Sequence, residues 1–346
     1  MKVSNHCRRA LAFALVAGCS LSWAQNVKIT PVGTHPGELC HRDRATIFED
    51  PTGVRLLYDP GQSVMGADDP RLGEIHAVLL SHAHGDHIGN MRLKAIGAGT
   101  CLKPALTSAA PNSATAEIAA AKNATLMMTS SMALFVGNKI EAITGKKVGV
   151  CPRPGGATTV PVESTCRAAM QLGGTHRLKT KGADKAVEIT IVFASHANNV
   201  PNVLLSEPLK TQLTEQGAGL DLGPPTGYVV KFTNGLRVYL SGDTGIHTEM
   251  KSVINDFHDV NLALFNLGLS AVTPNSAAYA INELIEPAAV IATHPNEEVT
   301  SGGKLRPKTR TAAFIDLVKD RPVYLAISGR TMEFNGDAVC MAGCDR

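Results

Sequence analysis

The chain has 346 residues, of which 44% are hydrophobic and 18% charged, so it can bury a core in one large domain or two small ones. No apolar run reaches the roughly 20 residues that a membrane-spanning helix needs. The formal net charge of +3 equals the charge of Lys2, Arg8 and Arg9 near the N-terminus, and the remaining 30 Lys and Arg balance 30 Asp and Glu. The chain beyond these three residues is therefore formally neutral. It has no global field to attract a phosphate backbone, which argues against nucleic acid as the main partner.

The N-terminus has the pattern of a secretory signal. A basic start is followed by an apolar stretch from Ala10 to Gly18 and by Ser22-Trp23-Ala24 before Gln25. We therefore expect residues 1–24 to be a signal peptide and the protein to be secreted, with the periplasm as the expected location. A second processing route is open, because Val16-Ala17-Gly18-Cys19 resembles a lipoprotein box in which Cys19 would carry a lipid anchor.

The cysteines favour disulfide bonds over a structural zinc site. The cysteines beyond residues 1–24 are even in number, which suggests disulfides in an oxidising compartment. They lack the paired short spacings of a structural zinc site. Several connectivities are open, among which proximity in sequence favours Cys151–Cys166 and Cys340–Cys344 and leaves Cys40–Cys101.

The first half of the chain begins with strands and continues into a segment of different composition. Val27–Thr34 and Thr46–Tyr58 are predicted as short strands, and the apolar run Ile75–Ser81 as a strand covered on both faces. Residues from about 100 to 185 are rich in Ala, Thr, Ser, Met and Lys, with one predicted helix from Ala114 to Ala124. They show no core pattern of their own, so we predict an insertion within one domain of residues 25–346.

Regular strand and helix patterns return in the second half of the chain. Their order indicates a layered α/β arrangement. Asn234-Gly235 predicts a hairpin because this dipeptide tolerates positive φ at both turn positions. Ser276–Leu284 is predicted as a helix capped by Asn275 or Ser276. The predicted strands are Glu188–Ala194, Tyr228–Thr233, Leu236–Ser241, Leu262–Leu267, Ala288–Thr293, Val323–Ser328 and Thr331–Phe334.

The hexapeptide His82-Ala83-His84-Gly85-Asp86-His87 carries the strongest chemical signal. Side chains two residues apart beyond a strand project to the same side, so His82 and His84 can share one ion. Gly85 lets the backbone turn, after which Asp86 and His87 can face a second ion. Imidazole and carboxylate suit zinc, iron and manganese. The alternative, four polar residues that only cap the following helix, is the less favoured interpretation.

This motif resembles the HxHxDH signature of the metallo-β-lactamase superfamily, and the match covers most of residues 27–335. His196 at a strand end is similar to the third histidine, Ser241-Gly242-Asp243-Thr244 to the segment with the bridging aspartate, and Thr293-His294-Pro295 to the late histidine. The helix from Pro274 to Leu284 followed by Val290–His294 resembles the UlaG-like branch, which includes ascorbate-phosphate lactonase and N-acyl-phosphatidylethanolamine phospholipase. The resemblance implies an α/β, four-layer αββα fold, with the insertion between the hexapeptide and His196.

The resemblance also implies a dinuclear metal site with seven ligands. His82, His84 and His196 hold the first ion, Asp86, His87 and His294 hold the second, and Asp243 bridges both. We expect two divalent ions, Zn²⁺ in the first place, with Mn²⁺ or Fe²⁺ as alternatives. The ions would share a water, lower its pKa and polarise the substrate oxygen under attack. Asp86 is in addition a candidate proton acceptor.

Other residues are candidates with two open interpretations each. Asp59 matches an early aspartate of the fold, and it either orients a ligand or forms a plain Asp-Pro-Gly turn. His247, four residues after Asp243, either faces the pocket or lies outside it. His176 competes with His196, but it is predicted to lie in a Gly-flanked loop without a preceding strand.

The favoured function is a metal-dependent hydrolase that acts on a small-molecule ester or lactone. Phosphodiester hydrolysis uses the same kind of site and is the alternative. A β-lactamase is less favoured because Asp243 in the bridging position departs from the pattern of antibiotic-hydrolysing members. An oxygen-reducing di-iron protein would carry Glu where His84 stands, and a non-catalytic binding protein would have lost one or more ligands. The sequence does not indicate an oligomeric state.

Overall fold

The computed structural model describes residues 26–268 and 272–344, and most of its strands belong to two β-sheets. The predicted signal peptide, residues 1–24, and the candidate lipid-anchor residue Cys19 lie outside the described residues. The strands are β1 (Val27–Val32), β2 (Ala45–Glu49), β3 (Arg55–Tyr58), β4 (Ala77–Leu79), β5 (Met91–Leu93), β6 (Leu106–Ser108), β7 (Thr125–Met127), β8 (Thr158–Val160), β9 (Thr175–Thr180), β10 (Val187–Phe193), β11 (Thr226–Lys231), β12 (Arg237–Leu240), β13 (Leu262–Asn266), β14 (Ala289–Thr293), β15 (Thr300–Ser301), β16 (Lys304–Leu305), β17 (Val323–Leu325), β18 (Met332–Phe334) and β19 (Cys340–Ala342).

Helices occur between and outside the strands. The α-helices are α1 (Gly85–Ile88), α2 (Ala114–Ala121), α3 (Ser130–Thr144), α4 (Glu207–Glu215), α5 (Pro274–Tyr279) and α6 (Arg310–Leu317). Met250–Asn255 and Ala280–Ile285 form π-helical turns, and Pro154–Gly156 and Asn202–Leu204 form 3-10 turns. Within residues 26–268 and 272–344, no helix combines the length and the apolar character needed to cross a membrane.

The two main sheets mix parallel and antiparallel pairs. In the described part of the chain, the first sheet has the strand order β19-β18-β1-β2-β3-β4-β7, and the second has the order β17-β14-β13-β12-β11-β10-β9-β8. β10 and β12 both pair antiparallel with β11, while β12, β13 and β14 pair parallel with one another in sequence. Strands β10, β12 and β14 therefore point the same way, and their carboxyl ends meet at one edge of the second sheet.

The core between the sheets explains the layered arrangement. Residues of the first sheet such as Phe48 and Leu79 are fully buried in one cluster with Ile191 and Leu240 of the second. A second cluster joins the outer face of the first sheet to helices α2 and α3, and a third joins the outer face of the second sheet to α5, α6 and the π-helical turns. The result is four layers, helix-sheet-sheet-helix, which confirms the predicted αββα fold.

The segment of residues 100–185 is more closely integrated than an insertion. Its strand β7 extends the first sheet beside β4, and its strands β8 and β9 extend the second sheet beside β10. Met127, Met170 and Leu178 enter the core between the sheets. The segment thus supplies edge strands to both sheets, because these short strands gain their burial from neighbours rather than from a core of their own.

Local signals explain where the structure departs from the predicted elements. Thr46–Tyr58 is not one strand but the hairpin β2–β3, which reverses at a turn where Gly53 has a φ of 87°. In the β11–β12 hairpin only Gly235 has positive φ, at 102°, so the turn is followed by a glycine bulge rather than having two left-handed residues. Helix α5 is capped by Thr273, whose side chain accepts a hydrogen bond from the backbone nitrogen of Ser276, and not by Asn275 or Ser276.

Three disulfide bonds join the cysteines of the described residues in the pairing that proximity in sequence favours. Cys40 pairs with Cys101 and Cys151 with Cys166, each with Cα atoms 4.9 Å apart, and Cys340 pairs with Cys344 at 6.3 Å. The first of these bonds fixes the loop before β2 to a segment 61 residues later.

Candidate metal centre

The predicted metal ligands all follow the ends of strands. His82 lies just after β4 of the first sheet, while His196, Asp243 and His294 follow β10, β12 and β14 of the second. Because β10, β12 and β14 end at the same edge, their following residues face a common space, which the end of β4 closes from the other sheet. The fold therefore brings together residues that are separated by up to 212 positions along the chain, from His82 to His294.

The hexapeptide turns sharply into a short helix. The backbone nitrogens of His87 and Ile88 both donate to the carbonyl oxygen of His84 at 2.9 Å, which starts α1. Gly89 ends the helix with a φ of 76°, in the left-handed region that favours glycine. One tight helical turn places Asp86 and His87 beside His294, as the sequence predicts for a second metal position.

The first group consists of His82, His84 and His196, whose ligand nitrogens lie within 4.8 Å of one another. Nδ1 of His84 and Nε2 of His196 are 3.2 Å apart. Nδ1 of His82 lies 3.0 Å from Oγ of Ser81, and its Nε2 is buried and, among the described residues, has no hydrogen-bond partner. Buried nitrogen atoms without partners rarely occur unless an ion or water binds there.

The second group consists of Asp86, His87 and His294, again with ligand atoms within 4.8 Å. Nε2 of His294 lies 3.1 Å from Nε2 of His87 and 3.5 Å from Oδ2 of Asp86. The distance from Nε2 of His87 to the same Oδ2 is 3.7 Å. These separations match ligand atoms that surround one small cation.

Asp243 lies between the two groups. Its Oδ1 is 3.1 Å from Nε2 of His294 and 3.4 Å from Nε2 of His87, while its Oδ2 is 3.8 Å from Nε2 of His196. The side chain is only 5% exposed. The two oxygens of one buried carboxylate thus face different groups, as expected of a residue that contacts two ions.

The electrostatics of the two groups differ. Burial lowers the pKa of His84 and of His196 and lowers that of His82 well below its usual value, so these imidazoles are neutral at pH 7 and their lone pairs are free for a metal. Burial also acts on His87, but the carboxylates of Asp243 and Asp86 outweigh it and raise its pKa to about 10. The carboxylates of Asp86 and Asp243 therefore favour a positive charge at the second group.

The residues present fit metal ions. A cavity of about 10 Å³ beside the second group is lined by Asp59, His87, Asp243 and His294 among others, and this volume suits one water-sized species. Neutral imidazoles and carboxylates are the donors that zinc and related divalent ions take. A divalent cation would replace the proton of His87 in compensating the carboxylates of Asp86 and Asp243.

Asp59 contacts a ligand of the second group. Its Oδ2 lies 2.8 Å from Nδ1 of His87 and also accepts a hydrogen bond from Oγ of Ser81 at 2.7 Å. Its Oδ1 accepts a bond from the backbone nitrogen of Ser81 at 2.8 Å. The structure therefore favours the orienting role over the plain turn, although the turn is present as well and gives Asp59 a φ of 39°.

Two other histidines are not members of the metal groups in the described part of the chain. Neither ring nitrogen of His247 has a hydrogen-bond partner there, and its ring packs edge-on against Phe193 with centroids 5.2 Å apart. The supporting role of His247 stays a prediction. His176 lies in strand β9, not in a loop, where Nε2 is 3.0 Å from Oγ1 of Thr158.

Sequence reasoning missed two residues that support the site. Arg44, directly before β2, contacts Oδ2 of Asp86 through Nε at 3.2 Å and Nη2 at 3.0 Å. Asn198 accepts a hydrogen bond from the backbone nitrogen of Ala83 at 2.7 Å and so fixes the backbone between His82 and His84. The position of Asn198 two residues after His196 is a usable signal, whereas nothing near Arg44 in the sequence points to Asp86.

Comparison with known proteins gives the family. Residues 54–294, more than half of the chain, match the family described as the beta-lactamase superfamily domain. The chain is similar to a UPF0173 metal-dependent hydrolase of Staphylococcus carnosus, with 25% identity over 74% of this chain and 84% of the relative. A UPF0173 metal-dependent hydrolase of Cupriavidus taiwanensis is 24% identical over 72% of this chain and 71% of its own length.

Solved structures agree on the fold. The metallo hydrolase Igni18 of Ignicoccus hospitalis aligns with a TM-score of 0.54 at 19% identity, covering 90% of this chain and 99% of that one. The metallo-beta-lactamase fold protein YhfI of Bacillus subtilis aligns with a TM-score of 0.51 at 13% identity, covering 89% and 99%. With the strand-end cluster of histidines and aspartates, these matches show that the chain belongs to the metallo-β-lactamase superfamily and is a metal-dependent hydrolase.

Proposed function

We propose that the protein is a dinuclear zinc hydrolase that cleaves a carboxylic ester or lactone, in the UlaG-like branch of its superfamily. The position of Asp243 carries the dinuclear part of this proposal, because its two oxygens face His294 and His196 from opposite groups. A mononuclear site would leave one of the two histidine groups without a cation. The buried, partnerless Nε2 of His82 supports an ion in the first group as well.

Two zinc ions bound here would supply a hydroxide near neutral pH and polarise the carbonyl oxygen of the substrate. The chain's own residues hold and orient this centre. His196 and Asp86 keep 24% and 23% of their side chains exposed, so substrate approaches from their side. Burial raises the pKa of Asp86, but His87 and then Arg44 outweigh it and hold the pKa well below its usual value. Asp86 is therefore ionised at pH 7, as a metal ligand must be, and its low pKa makes it a weak proton acceptor.

The engagement of Arg44 favours a carbonyl substrate over a phosphodiester. Phosphoryl groups are usually bound by guanidinium groups with free donors. The guanidinium of Arg44 contacts Asp86, Asn296 and the carbonyl oxygens of His41 and Asp43. Its side chain is 1% exposed, so it has no donor left for a substrate phosphate.

A substrate panel tests this proposal. Protein that has been stripped with chelator and reloaded with Zn²⁺ would be assayed on aryl acetates, a γ-lactone, a bis-aryl phosphate and a chromogenic β-lactam. We expect kcat/KM to be highest for the ester or lactone and to be lost in the Asp243→Asn variant. A higher kcat/KM for the bis-aryl phosphate would replace the ester assignment by the phosphodiesterase alternative.

We also propose that the protein is exported, which the paired cysteines of the described residues support, because disulfides persist in oxidising compartments. The N-terminal mass of protein recovered from the periplasm tests this. A start at Gln25 indicates an ordinary signal peptide, and a lipidated start at Cys19 indicates an anchor. Trp23 is the only tryptophan of the chain, so indole fluorescence separates the two forms. Recovery of the uncleaved chain from the cytoplasm would contradict export.

A further inference from the structure

Arg44 uses every donor of its guanidinium within the protein. Nε and Nη2 donate to Oδ2 of Asp86 at 3.2 and 3.0 Å, and Nη2 also donates to Oδ1 of Asn296 at 2.5 Å. Nη1 donates to the carbonyl oxygens of His41 at 3.2 Å and Asp43 at 2.9 Å. An arginine has five N–H donors in a rigid planar fork, so these five hydrogen bonds to four acceptor atoms fix its orientation.

The acceptors of Arg44 belong to both sides of the second metal group. Asp86 lies on α1 after the first sheet, and Asn296 follows His294 after the second sheet by two residues. Nδ2 of Asn296 in turn donates to the carbonyl oxygen of Gly268 at 3.0 Å. Arg44 therefore connects the carboxylate ligand of the second group to the loop that carries its late histidine.

The loop before β2 is rigid enough to hold Arg44 in place. The carboxylate of Asp43 accepts hydrogen bonds from the backbone nitrogens of Thr34 at 2.7 Å and Cys40 at 2.8 Å. Cys40 is also fixed by its disulfide bond. A Cβ atom at Gly61 would overlap the carbonyl oxygen of Asp86 and lie 3.1 Å from Cβ of Arg44, so glycine there permits the close approach of the two residues.

We propose that Arg44 is a positioning residue for the second metal ion, which it serves by fixing Oδ2 of Asp86 toward His87 and His294. The inference rests on the proposed dinuclear function. The oxygen that Arg44 contacts is the same oxygen that lies 3.5 Å from Nε2 of His294, so losing the guanidinium releases a ligand atom and not a remote group. Groups that orient metal ligands in this way typically contribute 10–100-fold to metal affinity.

The test compares Arg44→Lys with Arg71→Lys as a matched control. Arg71 also pairs with a buried carboxylate, at 2.6 Å from Asp69, and also donates to main-chain oxygens, those of Gly33 and Ser63. Its described contacts include no metal ligand. Both variants would be made in a His84→Ala background, which leaves the second group intact, and in a His294→Ala background, which leaves the first.

Zn²⁺ affinity is measured by competition with a chromophoric chelator. We expect Arg44→Lys to weaken zinc binding in the His84→Ala background by about 10–100-fold and to change it less than about twofold in the His294→Ala background. Arg71→Lys is expected to change neither. Equal weakening in both backgrounds, or no weakening at all, would overturn the inference, because the first outcome indicates general destabilisation.

Two further measurements keep the test decisive. Wild-type protein is titrated first, and binding of fewer than two zinc ions would remove the proposed dinuclear function itself. If wild type binds two zinc ions but Arg44→Lys leaves the zinc affinity of the second group unchanged, only the present inference is overturned.

If Arg44→Lys does not fold, Asn296→Gly is measured in its place. This variant removes one acceptor of Arg44, and glycine suits the backbone there, which already has a φ of 51°. A several-fold loss at the second group is then expected, and unchanged affinity contradicts the inference.

Discussion

Oδ2 of Asp59 lies 2.8 Å from Nδ1 of His87, and this contact determines which nitrogen of the imidazole faces the metal centre. Nδ1–H donates to the carboxylate, so Nε2 faces Asp243 at 3.4 Å and His294 at 3.1 Å. Ser81 holds the carboxylate from the other side through its backbone nitrogen and its hydroxyl. The ring of His87 is thus oriented by a chain of hydrogen bonds that starts at the end of β4.

We predict that Asp59→Asn weakens the second metal position. An amide has one acceptor oxygen and one donor nitrogen, so either His87 or Ser81 would face a donor instead of an acceptor. We expect second-site zinc affinity to fall by about 10–100-fold, as for other groups that orient a ligand. Chelator competition measures this effect.

Asp50→Asn serves as the control for Asp59→Asn. The carboxylate of Asp50 is also buried and also accepts several hydrogen bonds, from Thr52 and Thr233, but in a turn away from the site. This variant is expected to lower the free energy of unfolding without changing zinc affinity. Equal zinc affinities for Asp59→Asn and wild type would contradict the orienting role.

We predict that His84→Ala lowers both metal content and turnover. His84 contributes Nδ1 to the first group, and without it the first ion keeps only two histidines and the carboxylate of Asp243, which it shares with the second ion, so we expect weaker binding. Turnover should fall by on the order of 10²–10³-fold, the scale for removal of one electrostatic stabiliser from an active site. Elemental analysis and initial rates are measured together.

His258→Ala is the matched histidine control for His84→Ala. His258 is half-buried against Phe257, with ring centroids 4.8 Å apart, and it is not part of a metal group in the described structure. Its metal content and turnover should equal those of wild type. Unchanged zinc stoichiometry in His84→Ala would count against the assignment of the first group.

The candidate ligands that the structure brings together could be found from the sequence because they follow apolar strand runs. His82, His196 and His294 all continue a buried strand, and the geometry of strand ends determines where such residues point. Arg44 offered no comparable signal, since its two acceptor side chains lie 42 and 252 residues away. Interactions set by the packing of two sheets against each other have no local pattern.

The lack of a local sequence pattern also explains why helix α3 and strands β8 and β9 were not predicted. Helix α3 has a φ of 68° at its capping Gly145 and buries one face, but its composition resembles that of the surrounding loops. Strand β8 is the edge strand of the second sheet and β9 lies next to it, and strands near a sheet edge depend on their neighbours for burial more than on their own alternation. Residues 100–185 therefore lacked a readable pattern although they complete both sheets.

We predict that Asp43 makes the protein less stable as the pH rises from 4 to 7. Burial raises the pKa of Asp43 to about 6, against the partial opposition of the hydrogen bonds from Cys40 and Thr34. The folded state then retains a proton that the unfolded state has lost, so stability falls with pH between about 4 and 6. A shift of this size corresponds to about 3 kcal/mol.

Urea denaturation of the chelated protein at several pH values checks this prediction, with Asp43→Asn as the reference that cannot titrate. The free energy of unfolding of wild type minus that of Asp43→Asn should decrease by about 2 kcal/mol between pH 4 and pH 7, because the unfolded carboxyl is still partly protonated at pH 4. A difference that stays constant or increases with pH would show that Asp43 keeps an ordinary or lowered pKa in the folded protein.

Finally, we predict that Gly268→Ala displaces His294. The backbone of Gly268 lies outside the left-handed region, so only space requires glycine, and a Cβ there would overlap Nδ1 and the carbonyl oxygen of His294. Because Gly268 and His294 directly follow the paired strands β13 and β14, the overlap is relieved only if the two residues separate, which displaces His294 from its present position. We expect second-site zinc affinity to fall by at least about tenfold and the free energy of unfolding by about 1–3 kcal/mol. Gly149→Ala, where the Cβ meets open space and φ is also ordinary, should change neither quantity, and an equal result for both variants would contradict the role of Gly268.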